Sequence, residues 1–578
     1  MPRRDANEVA DLLEEIGRRA VFEAGNPYRA KAYVRAAASL RRLARPLHEL
    51  IGQGALQSIP GVGAAIAKRI EMLHRGASDE ALERMRRKLP AGLLELLAIP
   101  GLKPPTVMKL HTLLGVNSLH ELAAACSRGL VAATKGLGPA LERRILQGID
   151  IAREGQGRLR VNRAQAVLEQ AVAELKRLRP ELRKIAIAGD MRRACELVSD
   201  LRLVAVDPKL SEPTEERFAG LVLHTCPATR FGAALVHATG SKTHFEQLGA
   251  LARKKGLSLD ADGLRRGGKL IAAANEKAFY RALGLAFVPP ELREGTDEIA
   301  RARKGEAPDL ISMKNLKGVL HLHTTFSDGV NTLEEMAEAA RARGYAYLGV
   351  ADHSQSAHYA GGLSLSEIEE QHAIAGELNR RYRGRFRILK GIESDILADG
   401  SLDYVPEVLA RFDFVVASVH SRFRLGRDEQ TKRIIAAVSN PYTTILGHLT
   451  GRQLLRRPGY DVDVEAILKA CAKHGVAVEI NGNPYRLELD WRWHHRARQF
   501  GCMLSINPDA HSTAELDLVK WGVAVARKGG VSKGHVLNAM SLEHIDAYLQ
   551  TRRRRQSRRS LRCKTRDGPG SRNRAVER

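Results

Sequence analysis

The sequence predicts a multidomain chain of α+β and α/β class: a helical region, a mixed middle, and a final α/β barrel. Three observations predict it. The chain has 578 residues, too many for one ordinary domain. A turn pattern built on glycine recurs within the first 150 residues. From Lys317 onward, short apolar runs alternate with helical segments, and the runs end in histidine or carboxylate side chains.

The first stretch, "MPRRDANEVADLLEEIG", is polar and reads as an amphipathic helix. After it, "LQSIPGVGAAIAKRIEML" from Leu56 recurs as "LLAIPGLKPPTVMKLHTLL" from Leu96 and more faintly as "ATKGLGPALERRIL" from Ala133. Each copy reads as helix, tight turn and second helix. Glycine lets the backbone approach a phosphate, and the next helix N-terminus offers free N–H groups and a positive dipole end. The copies resemble helix-hairpin-helix DNA-binding motifs, which hold backbone without reading bases. The resemblance points to Gly61, Gly63, Lys68, Arg69, Gly101, Lys103, Gly136 and Gly138 as DNA contacts. The expected divisions are a hairpin domain over 1–95 and a fingers-like region over 96–160.

The middle, "LRKIAIAGDMRRACELVSDLRLVAVD", reads as strand, glycine turn, short helix and second strand. Asp200 and Arg202 stand two residues apart and so share one face of that strand. Together with "FGAALVHATGSKTHFEQL" and "PPELREG", this stretch resembles the palm and thumb of a family X DNA polymerase, a nucleotidyltransferase-like palm expected over 161–316. The resemblance implies two aspartates at i, i+2 and a third on a neighbouring strand, holding two divalent ions. Those positions fall on Asp200, Arg202 and Val222. Asp190 stands where the family has a serine that receives the triphosphate, and Arg69 where related enzymes use a Schiff-base lysine, with Lys68 beside it. A guanidinium stays charged at any working pH, so Arg202 is expected to pair with Asp200 in a metal's place, leaving a residual acid and a degenerate polymerase centre.

Beyond Lys317 the runs "GVLHLHTTFSDG", "YLGVADHS", "RILKGIESDIL", "FVVASVHS", "TILGHLTGR", "VAVEING" and "MLSINPDAHS" read as parallel strands with functional ends. His321, His323, Asp328, His353, Glu393, His420, His448, Asp509 and His511 fall at or just beyond those ends. An acid cluster of this size repels itself without cations. The arrangement is similar to the PHP (polymerase and histidinol phosphatase) domain, a distorted (β/α)7 barrel, expected over 317–550. That resemblance implies three divalent ions: one on His321, His323, Glu393 and Asp509, a second on Glu393, His420 and His448, and a third on Asp328, His353 and His511. Imidazole with carboxylate suits Mn, Zn or Fe rather than Ca. Arg422 and Arg452 stand at loop positions open to a phosphate.

The formal net charge is +26 with a pI of about 10.0, which favours a polyanionic partner. Part of the excess sits in the tail 551–578, which lacks apolar periodicity and is expected to be disordered. Six scattered cysteines suggest neither a zinc ribbon nor a disulfide framework, and no apolar run reaches membrane-spanning length. The reading is a cytoplasmic, metal-dependent 3'-5' exonuclease acting on gapped, nicked or 3' DNA ends in repair. Its rivals are an active gap-filling polymerase, a small-molecule phosphatase of the histidinol phosphate type, and a non-catalytic DNA scaffold.

Overall fold

The computed structural model describes residues 4–552 apart from 23–26, 41–42, 44–45, 60, 98, 101, 262 and 272–273. Gly101 and nearly all of the basic tail therefore lie outside the described residues. The chain forms two compact units, Met1–Gln156 with Leu455–Arg457, and Gly157–Leu454 with the chain from Pro458 on.

The first unit is helical and has two hydrophobic cores. In the helix Ala6–Ala20, Val9, Leu13 and Ile16 repeat at helical spacing and pack against Tyr33, Ala36, Ala37 and Leu40 of Pro27–Leu40. The second core gathers Leu93, Leu96, Val107, Leu110, Leu122, Ile145 and Ile149. The repeated turns end in helices Ala64–His74, Pro104–Leu114 and Pro139–Glu154, whose N-caps are Gly63, Lys103 and Gly138. None of the three caps supplies a side-chain acceptor. In the first copy this leaves first-turn N–H groups open, whereas in the second Pro104 and Pro105 have none and Thr106 N donates to Lys103 O, and in the third Pro139 has none and Leu141 N donates to Gly138 O. Gly61, Gly136 and Gly138 have φ of 85°, 86° and 84°, a conformation that a side chain rarely adopts.

In the second unit, a four-stranded sheet runs in the order Arg183–Ile187, Arg202–Val206, Leu221–Cys226 and Thr214–Phe218. Helices Val161–Leu178 and Phe231–Thr239 accompany it. A following subdomain packs Leu248, Phe279, Tyr280 and Leu283 into its own core, beside a three-stranded sheet over 258–271.

The rest of this unit is a seven-stranded parallel sheet in sequential order: Gly318–Val319, Tyr347–Val350, Arg387–Asp395, Phe414–Ser418, Ile445–Leu446, Ala477–Asn481 and Leu504–Asn507. Leu322 bridges Ala510, so the chain after the first strand meets the chain after the last and the sheet nearly closes into a barrel. The strands are buried along nearly their whole length, as a parallel sheet covered by helices requires. The predicted class, helical hairpins followed by a distorted (β/α)7 barrel, is the one observed. Among the described residues, no helix is long and apolar enough to cross a membrane.

Candidate metal centre

The C-terminal ends of the barrel strands bring all nine predicted residues together. Glu393, at the end of the long strand Arg387–Asp395, is the hub. Its Oε1 lies 3.2 Å from His321 Nε2, 3.1 Å from His448 Nε2 and 3.4 Å from His420 Nε2. Its Oε2 lies 3.0 Å from His353 Nδ1 and 3.7 Å from His323 Nε2. Asp509 Oδ1 stands 3.3 Å from His323 Nε2 and 3.6 Å from His321 Nε2. Asp328 Oδ1 faces His511, His353 and His323 at 3.4, 3.7 and 3.8 Å.

Three donor groups emerge: His323, Asp328, His353 and His511; His321, His323 and Glu393; His353, Glu393 and His420. His323 and His353 each stand between two groups, presenting one ring nitrogen to Asp328 and the other toward Glu393. This overlap was not legible in the linear sequence.

The donor set fits divalent cations. His321 Nε2, both nitrogens of His323, His353 Nδ1 and Glu393 Oε1 are buried without a hydrogen-bond partner among the described residues. A buried polar atom left unpaired costs about 1–3 kcal/mol, so their convergence demands a common partner. Burial opposes the charged form of His420, yet Glu393 and Asp395 lift its pKa to about 9. Burial likewise opposes His511, which Asp328 and Asp509 lift to about 9. Burial and then the neighbouring His353 push His323 down to about 4. Burial works against the Glu393 carboxylate as well, but His321, His420 and His353 hold it well below the usual range. His321 and Asp509 also sit at φ of 56° and 51°, a strained conformation of about 1–3 kcal/mol each that a packed surrounding must enforce.

Sequence reasoning missed the residues that aim these groups. Glu479 accepts from His321 Nδ1 at 2.5 Å and from the His448 backbone N–H at 2.8 Å, and Asn507 and Asn481 hold it in turn. Asp395 takes His420 Nδ1 at 2.6 Å. Such partners fix which ring nitrogen faces a metal. Asp395 carried a signal, because it follows Glu393 by two residues on the same strand face. Arg486 carried none: it lies in a loop, yet its Nε sits 3.4 Å from Asp509 Oδ2, and its buried Nη1, 3.9 Å from Glu488 Oε1, has no hydrogen-bond partner among the described residues.

Of the two arginines expected at a phosphate, Arg422 is exposed two residues beyond His420. The expectation for Arg452 is corrected. Its guanidinium donates to Asp490 at 2.9 Å, to the Arg486 carbonyl at 3.0 Å, and to Glu196 and the Leu487 carbonyl. It braces the barrel against the 183–206 region and has little left for a phosphate.

In the middle region Arg202 Nε lies 2.7 and 2.8 Å from the two oxygens of Asp200. Val222 is its register partner on the next parallel strand, so the three aligned positions do meet, with one acid among them. Asp190 departs from expectation. Rather than facing a triphosphate, its carboxylate turns inward to accept from Ser199 N, Ser199 Oγ and Asp200 N, each at 2.9 Å, and pairs with Arg193 at 2.5 Å. Gly189 before it has φ of 64°, and a Cβ there would meet Asp200 O at 2.3 Å.

Arg69 is also reassigned. It pairs with buried Asp79 at 2.7 Å and donates to Tyr33, so its charge is engaged inside the first unit, whereas neighbouring Lys68 is exposed. Lys103 is exposed at its helix start, and Lys109 Nζ donates to Gly136 O at 2.6 Å.

Comparison with known proteins agrees with this architecture. Residues 4–77 match a helix-hairpin-helix domain, 93–150 a SAM-like helix-hairpin-helix tandem, 234–294 the DNA polymerase beta thumb and 320–483 the PHP domain. The hairpin and thumb matches indicate DNA binding. The barrel region is 29% identical to a probable phosphatase of Thermoanaerobacter sp., covering 42% of this chain and 98% of that protein. It is 26% identical to a probable phosphatase of Caldanaerobacter subterraneus, over 42% of this chain and 94% of that one. Over 94% of its length the chain is 32% identical to the DNA polymerase/3'-5' exonuclease PolX of Bacillus subtilis, 99% of which is covered. Hairpins, thumb and PHP barrel in this order, with identity sustained from end to end, place the chain in the PolX family of family X DNA polymerases that carry a C-terminal PHP domain.

Proposed function

We propose that this protein is a metal-dependent 3'-5' exonuclease acting on gapped, nicked or free 3' DNA ends, and that its polymerase centre is inactive. The observation that carries the reading is the contrast between its two centres. Around Glu393, buried histidine nitrogens and one carboxylate oxygen converge without a hydrogen-bond partner among the described residues. At Asp200 the corresponding place is filled by Arg202. The division into 1–95, 96–160, 161–316, 317–550 and 551–578 is part of the same proposal.

Three ions are proposed, Mn or Zn with Fe as a third choice, held by His321, His323, Asp328, His353, Glu393, His420, His448, Asp509 and His511. When bound, such ions lower the pKa of water and draw charge from a phosphoryl group. The chain's own residues do the rest. Glu479 and Asp395 orient His321 and His420. Arg486 places a fixed positive charge beside Asp509, where it would offset negative charge that develops on a phosphodiester held at the centre. Backbone contacts from Gly61, Gly63, Lys68, Lys103, Gly136 and Gly138 hold the duplex without reading sequence.

A second reading, hydrolysis of a small phosphate monoester, is favoured only by the likeness of the isolated barrel to the probable phosphatases. One experiment separates the readings. A 5'-labelled gapped oligonucleotide is incubated with purified protein and a Mn, Zn and Fe series, with and without deoxynucleotides. Stepwise shortening from the 3' end, lost in His353→Ala and Asp509→Ala, is expected. Primer lengthening, or release of phosphate only from small monoesters, would count against the proposal.

A further inference from the structure

We infer that Tyr359 is the platform on which the terminal base of a DNA 3' end stacks while its phosphodiester enters the metal centre. The inference rests on the exonuclease reading and deepens it by naming what selects the substrate.

Tyr359 is 69% exposed, far more than a large aromatic side chain normally is. It is not at a remote surface. Its ring centroid lies 6.0 Å from that of His353 and 6.2 Å from that of His420, both members of the donor groups around Glu393. The short turn His358–Ala360 that carries it is pinned from below. Ala357 and Ala360 are buried, Ser356 N donates to Asp403 at 2.6 Å, and Gln355 N donates to the Tyr404 hydroxyl at 3.1 Å. Leu363 N returns to the His353 carbonyl at 2.9 Å, and a Cβ at Gly362 would strike Ser354 O at 1.8 Å. The turn is packed closely enough that the tyrosine cannot retreat into the core, so the fold holds an apolar plate at the mouth of a hydrolytic centre.

A flat ligand with an apolar face and an attached phosphate fits that plate, and a nucleotide at the end of a strand has both. Stacking on an aromatic ring tolerates every base, which suits an end-processing enzyme held to DNA through backbone contacts. Only an unpaired terminal base is free to stack, so frayed or single-stranded ends are the expected substrate. A small phosphate monoester without a base has no use for Tyr359.

The test uses full-length, metal-loaded protein and a single-stranded oligonucleotide ending in 2-aminopurine, with a phosphorothioate as the last linkage to slow cleavage. Wild type, Tyr359→Phe and Tyr359→Trp are expected to quench the terminal fluorescence on binding, and Tyr359→Ala is not. With an unmodified oligonucleotide, Tyr359→Ala should raise KM about tenfold and change kcat far less, since stacking is a binding term. With a 3'-terminal abasic residue that difference should collapse to within about twofold, because no base remains to stack. Equal quenching and equal KM in Tyr359→Ala overturn the inference, as does a tenfold defect that persists on the abasic end. If wild type shortens no DNA yet hydrolyses bis-p-nitrophenyl phosphate, the exonuclease reading itself has failed, an outcome distinct from an active enzyme indifferent to Tyr359.

Discussion

Arg202 grips Asp200 through a single nitrogen placed 2.7 and 2.8 Å from the two carboxylate oxygens, and it does so directly across the sheet from Val222. A fixed cation therefore stands where a two-metal polymerase centre would gather acids. Neither residue is fully buried, with about a third of each side chain exposed, so the pair fills the site rather than sealing it.

The first prediction follows. The protein should add no nucleotide to a gapped primer, and Arg202→Asp alone should not restore addition, because Val222 supplies no third ligand. Arg202→Asp with Val222→Asp is the smallest change with the full set of acids. Template-directed addition by the unaltered protein, abolished in Asp200→Ala, would contradict this.

Asp190 is a structural lock. Asp190→Ala should destabilise the second unit by about 1–3 kcal/mol, since three donors lose their acceptor and Arg193 loses one of its two carboxylate partners. Burial opposes its ionisation, but Ser199, Asp200 and Arg193 together hold its pKa below the ordinary carboxylate range. A depressed folded pKa means that the stabilisation is complete above the unfolded value and fades as pH falls through the folded one. Urea unfolding of wild type and variant should therefore differ most at neutral pH and converge in strong acid.

Glu479 touches two of the metal-centre histidine residues without standing among the predicted ligands. Glu479→Gln keeps the shape and loses the charge that fixes His321. It should weaken metal retention about 10- to 100-fold while leaving DNA affinity intact, as measured by metal content after dialysis against graded chelator.

If the Arg486 cation beside Asp509 offsets charge that develops in the transition state, Arg486→Ala should lower kcat by about 10²-fold or more with little change in KM. Arg486→Lys should recover part of the rate. An Arg452→Ala variant should lose stability and a smaller part of kcat than Arg486→Ala, since Arg452 pairs with Glu196 and Asp490 and donates to the carbonyls of Arg486 and Leu487, holding the Arg486 loop rather than facing the centre.

Lys68 and Arg69 are adjacent yet should respond differently. Lys68→Ala should weaken DNA binding and reduce the salt slope by about one ion. Arg69→Ala should lower the melting temperature of the first unit, because it leaves buried Asp79 without its partner. Fluorescence anisotropy at several salt concentrations, paired with thermal unfolding, distinguishes the two.

The order of hairpins, mixed middle and barrel was legible in the sequence because each depends on local pattern: glycine turns before helices, and apolar runs with strand periodicity. Glu393 and the eight residues around it were legible for the same reason, since all strands of a parallel barrel end at one mouth. The pairing of Arg202 with Asp200 was expected from the two-residue repeat of a strand, but the strand begins at Arg202, so Asp200 reaches the guanidinium from the segment just before it. What the tertiary structure alone decided is how long-range partners divide the charges. His323 and His353 are shared between donor groups because barrel closure sets their ring nitrogens between two carboxylates. Arg486 faces the centre and Arg452 faces away because the chain over 481–490 loops back on itself, a path that no spacing encodes. Asp190 turns inward because left-handed Gly189 brings it over the backbone of Ser199 and Asp200. Secondary structure follows from neighbours along the chain, whereas the partner of a loop arginine or a buried carboxylate follows from desolvation and closure, which exist only once the fold is complete.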